Sequence, residues 1–95
     1  MRTEKHLQNY LFKRAEDHNI YCRKMAITAR RGFPDVMMIH KGKVVFVELK
    51  SPTGRYTLSK LQVREIARLD KAGASTFITN SKEGVDAVVE QLTNA

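Results

Sequence analysis

The sequence is poor in the residues that would place it in several common classes. It has one cysteine, Cys22, so no internal disulfide framework can form, and the chain fits a reducing compartment. Cys22 with His6, His18 and His40 shows no zinc-ligand spacing. Tryptophan is absent, and only 2 prolines and 5 glycines interrupt 95 residues, so no low-complexity tract, repeat or linker is expected. No run approaches the ~20 apolar residues of a membrane span, and the charged first residues are unlike a signal peptide. A cytoplasmic chain with no membrane partner is expected. Gly-rich phosphate loops and Gly-x-Ser-x-Gly elbows are also missing.

Acidic residues are scarce relative to basic ones. Seventeen Lys and Arg against 10 Asp and Glu leave a formal charge of +7, which favours polyanions, nucleic acid foremost. Charge alone would suit a ribosomal or membrane-surface protein equally well. The length fits one domain over 1–95 with a thin core, a size at which dimerisation often adds stability.

The hydrophobic pattern predicts an α-β-β-β-α-β-α order: a mixed α/β sheet flanked by helices. Leu7, Tyr10, Leu11 and Ala15 follow helical spacing and predict a first helix over 4–19, with Thr3 as N-cap. A strand follows over 20–28, then a loop at Arg30-Arg31-Gly32-Phe33-Pro34. Two strands over 35–40 and 43–50 meet at Lys41-Gly42. The second is rich in β-branched residues and is expected inside the sheet. A helix over 59–72 should stop at Gly73, and a strand over 74–79 and a helix over 82–93 complete the chain. The parallel pairing of 44–50 with 74–79 should cross over with right-handed sense.

The hairpin carries the chemistry. A two-residue turn at Lys41-Gly42 sets His40 against Lys43 and therefore Asp35 against Glu48, on one face, with Cβ atoms about 4.5–5.5 Å apart. A slip of one residue would separate them. Facing carboxylates repel unless a cation lies between them, and a hard divalent ion such as Mg²⁺ suits two such groups while keeping several waters. Lys50 shares the face, two residues on, where it either neutralises Glu48 or steadies a water or phosphate. Gln62 lies on the stripe Leu58, Ile66, Leu69 that should pack inward. It has two readings: the reciprocal half of a Ser59-Lys60-Leu61-Gln62 capping box, or a member of the site. Glu4 likewise is either a partner of the helix dipole or a ligand.

Together, Gly32-Phe33-Pro34-Asp35, Glu48-Leu49-Lys50 and Leu58-Ser59-Lys60-Leu61-Gln62 resemble the VRR-NUC branch of the PD-(D/E)XK nucleases, a restriction-endonuclease-like fold. The likeness runs from the first helix to Gly73, with Ala29-Arg30-Arg31 where the family's naming Val-Arg-Arg stands. The resemblance implies that Asp35, Glu48 and the backbone carbonyl of Leu49 bind Mg²⁺ or Mn²⁺, that Lys50 lies near the attacking water, and that Glu4 and Gln62 complete the catalytic set. It implies in-line hydrolysis of DNA phosphodiesters to a 5′-phosphate and a 3′-hydroxyl, in a bacterial or phage-infected cell. Some short relatives resemble Holliday-junction resolvases, so a homodimer cutting branched DNA is the expected form. A general or restriction-type DNase and a non-catalytic nucleic-acid-binding module are the alternatives. Arg30, Arg31, Arg55, Lys60 and Arg64 are the expected nucleic-acid-binding residues.

Overall fold

The computed structural model describes residues 3–26, 31–53 and 57–94. Its elements run α1 (Glu4–Asp17), β1 (Tyr21–Lys24), β2 (Val36–His40), β3 (Lys43–Leu49), α2 (Lys60–Lys71), β4 (Ser75–Thr79) and α3 (Lys82–Thr93). The expected order is present throughout. Thr3 caps α1, its hydroxyl accepting from the His6 amide at 3.2 Å. The helix ends two residues earlier than its apolar spacing implied, because Asn19 turns into left-handed backbone at φ 58°.

The four strands form one sheet in the order β1-β2-β3-β4. β1 and β2, and β2 and β3, are antiparallel, while β3 and β4 are parallel. β3 is therefore an interior strand, as its β-branched run required. β1 is shorter than the expected 20–28. Ile20 is instead a core residue, and positions 27 and 28 lie outside the described residues. Strand-like pairing still continues one residue further, since the Met25 amide donates to the Asp35 carbonyl at 2.7 Å.

The register follows from turn chemistry. Lys41 and Gly42 both take positive φ, 48° and 85°, which is the backbone of a two-residue turn twisted to match its strands. His40 then faces Lys43 and Val36 faces Val47. Along β3, Val45, Val47 and Leu49 point to the face covered by α1 and α3. There they pack with Leu7, Leu11, Val85, Val88, Val89 and Leu92. Val44, Phe46 and Glu48 point the other way, towards α2. Phe46 is covered there by Phe33, edge to face, with ring centroids 5.3 Å apart.

The two faces are unequal. α2 buries none of its residues fully, and its stripe of Leu58, Gln62, Ile66 and Leu69 is only half-buried. The inward packing expected of that stripe is thus partial. Helix α2 is held by half-buried packing on β4, by its capped first turn and by the groups near Glu48.

Leu11 is fully buried between α1 and the sheet. Truncating it to Ala should lower the unfolding free energy by about 2–5 kcal/mol, read from denaturant midpoints, with the slope unchanged.

Candidate active site

At the end of the β2–β3 hairpin the chain brings Asp35, Glu48, Lys50 and Gln62 together. Asp35 immediately precedes β2. Continuing the ladder by one pair from Val36–Val47 sets it against Glu48. Its Oδ2 accepts the Leu49 amide at 3.0 Å, which ties the carboxylate to the end of β3. Glu48 is buried, at 4% exposure. Its Oε2 accepts from Gln62 Nε2 at 2.7 Å and lies 3.3 Å from Lys50 Nζ. Lys50 Nζ also donates to Gln62 Oε1 at 2.9 Å. Oδ1 of Asp35 and Oε1 of Glu48 have no hydrogen bond among the described residues.

The two readings of Gln62 turn out to be compatible. Its backbone amide donates to the Ser59 hydroxyl at 3.1 Å, and its Oε1 accepts the Ser59 amide at 2.9 Å, so the capping box is complete. The same side chain reaches Glu48 and Lys50. Sequence spacing identifies the cap. The link to Glu48 and Lys50 depends on where α2 docks, which no local pattern encodes. The docking is close: Gly32 has φ +88°, and a Cβ there would come within 2.5 Å of the Leu61 backbone carbonyl and 2.8 Å of the Gln62 amide. Only glycine lets the Arg31-Gly32-Phe33 loop lie against the first turn of α2.

Electrostatics mark Glu48 as the unusual group. Its carboxyl is pushed up from the ordinary 4.5 to about 7, first by burial and next by the negative charge of Asp35. Lys50 opposes the shift, and Glu4 adds a further upward push, the last of the causes. Glu4 itself is exposed at the start of α1 and forms no hydrogen bond or ion pair among the described residues. Arg31, Lys60 and Arg64 are exposed and unpaired among the described residues, as an anion-binding surface would require. Arg30 and Arg55 lie outside the described residues.

The donors fit a hard divalent ion. No group of three or more His, Cys, Asp or Glu side chains converges among the described residues, so a closed all-protein cage is excluded there. Two carboxylates with a free oxygen each, next to the Leu49 backbone, instead match an ion that keeps much of its water. The raised carboxyl of Glu48 is what a cation would relieve. A cavity of about 570 Å³ lies elsewhere, between the starts of α1 and α3, with His6, Tyr10 and Lys82 on its wall. None of the four clustered residues lines it.

Neither a family model nor a curated protein matches the sequence. A solved structure described as "VRR_NUC domain" does match, with 32% identity and a TM-score of 0.81 over 92% of this chain and 94% of its own. The fold and site thus define a restriction-endonuclease-like α/β domain. The chain belongs to the VRR-NUC family of nuclease domains.

Glu48 gives a testable pH dependence. In the unfolded chain it titrates near 4.5 and in the folded chain near 7, so between those values the native state holds the extra proton. Without metal, stability should therefore fall as pH rises through that window, and the loss should be complete above it. Glu48→Gln should remove this share of the slope in melts run from about pH 5 to about pH 8.

Proposed function

We propose that this chain is a Mg²⁺- or Mn²⁺-dependent endonuclease that hydrolyses DNA phosphodiesters. The observation that carries the reading is the buried Glu48 beside Asp35, two acids whose mutual repulsion, in a strongly basic chain, calls for a cation. Carboxylates next to phosphate are repulsive unless a metal intervenes, so a purely nucleic-acid-binding module gives no reason for this pair.

In this reading Asp35 and Glu48 hold the ion, with the Leu49 carbonyl as a third donor. A bound Mg²⁺ or Mn²⁺ supplies charge neutralisation at the scissile phosphate and lowers the pKa of a water. The chain's own groups do the rest. Lys50, fixed 2.9 Å from Gln62 Oε1 and 3.3 Å from Glu48, presents its ammonium where a water or a phosphate oxygen needs a donor. Gln62 bonds both members of the Glu48–Lys50 ion pair and so fixes their positions. Glu4 adds negative potential beside the ion. Arg31, Lys60 and Arg64 grip phosphates on either side of the cut, with Arg30 and Arg55 assigned the same role on their sequence positions.

The substrate we favour is branched DNA, cut by a homodimer. A row of side chains across the sheet, Tyr21, Ile39 and Val44, lies on the α2 face beyond the helix, with Tyr21 and Val44 exposed. Leu61 and Val63 on α2 are exposed as well. Such apolar surface suits a second copy, and two symmetric sites suit paired cuts at a four-way junction.

Asp35→Ala and Glu48→Ala should each cut cleavage about a thousandfold or more in Mn²⁺, since several kcal/mol of charge stabilisation are lost. DNA binding measured by anisotropy should be largely kept. Cleavage that persists in EDTA, or in the double variant, contradicts the reading. Four-way junctions should be cut faster than linear duplex of the same sequence, whereas equal rates would favour a general DNase.

A further inference from the structure

We infer that Ser59 is a positioning residue for the metal site, because the N-cap of α2 and the carboxylate cluster share one side chain. The inference rests on the reading that Asp35 and Glu48 hold a divalent ion. Every hydrogen-bonding group of the Gln62 side chain points to something that must be held. Oε1 receives the Ser59 amide and Lys50 Nζ, both at 2.9 Å, and Nε2 donates to Glu48 Oε2 at 2.7 Å. With two donors aimed at Oε1, the amide has only one orientation, and its NH₂ must face Glu48. The Ser59 hydroxyl completes the lock by accepting the Gln62 backbone amide at 3.1 Å.

The chemistry of the third helical position is thereby restricted. A capping box tolerates Glu or Gln there. Glu at 62 would set a third carboxylate against Glu48 with no proton to donate. Only the amide can accept from Ser59 and Lys50 and still donate to Glu48. The clamp occupies Oε2 of Glu48 and leaves Oε1 without a hydrogen bond among the described residues. The Gly32 loop closes over the Leu61–Gln62 backbone from outside, so the first turn of α2 is held between that loop and the acids. Gln62 is such an outer contact to Glu48, a kind whose loss typically costs 10–100-fold in metal affinity, and the Ser59 hydroxyl acts on it through the Gln62 backbone amide. Coupling is reciprocal: if the cap assists the ion, the ion must steady the cap.

The test compares two helix caps of the same chemistry. Ser81 caps α3, its hydroxyl accepting the Gly84 amide at 3.1 Å, and it touches none of the clustered acids. Mn²⁺ affinity, measured by calorimetry on the full chain, should weaken by about tenfold in Ser59→Ala and stay within about twofold in Ser81→Ala, although both caps are lost. Ser59→Thr, which keeps a cap oxygen, should restore binding. Ser59→Gly serves as a second variant, since glycine is a tolerated N-cap that removes the hydroxyl with little loss of stability. Mn²⁺ should also slow hydrogen exchange of the Gln62 and Val63 amides in the wild-type chain. Wild-type Mn²⁺ affinity in Ser59→Ala and Ser59→Gly would overturn the inference, as would equal weakening in Ser59→Ala and Ser81→Ala. Failure of the wild-type chain to bind Mn²⁺ would overturn the metal reading itself, a distinct result.

Discussion

The structure depends on one electrostatic conflict, two carboxylates that the hairpin register forces onto one face at one end of the sheet. Each is anchored through one oxygen, Asp35 to the Leu49 amide and Glu48 to Gln62 and Lys50. Two of the anchors are neutral amide donors, and only the Lys50 ammonium offsets part of the pair's negative charge. What remains is a buried acid whose carboxyl sits near 7 rather than 4.5. A fold keeps such a group only if something else gains from it.

The rest of the domain is organised to hold that pair. The apolar face of the sheet, with Val36, Met38, Val45, Val47 and Leu49, is covered by α1 and α3 and supplies the core. The opposite face is left to α2, which contributes little burial and is fastened through its first turn. Stability and chemistry are thus divided between the two sides of one sheet. The division explains why a helix with no fully buried residue persists at all. Its N-cap, its glycine-lined docking surface and its bonds to Glu48 and Lys50 replace the packing it lacks.

Much of this was legible in the sequence, and the reasons are physical. Register came from a two-residue turn signal, which is local, so facing positions could be paired by counting from Lys41-Gly42. The expected bounds of α3, 82–93, match the structure, where Ser81 caps its start. Sequence was weaker where tertiary context decides. β1 starts one residue late because Ile20 is taken into the core, and α1 ended early because Asn19 adopts left-handed backbone. The stripe on α2 suggested full burial, yet helical spacing records which residues share a face and not how deeply that face is covered. Gln62 is the clearest case. Cap and site looked like rival explanations on paper, and only the docking of α2 shows one side chain serving both.

The most direct measurement of the central claim is a crystal soaked in Mn²⁺, with anomalous differences recorded at the manganese edge. One peak per chain within about 2.0–2.3 Å of both Asp35 Oδ1 and Glu48 Oε1 is the expected result. A peak bound to neither carboxylate, or no peak at full soak, would contradict it.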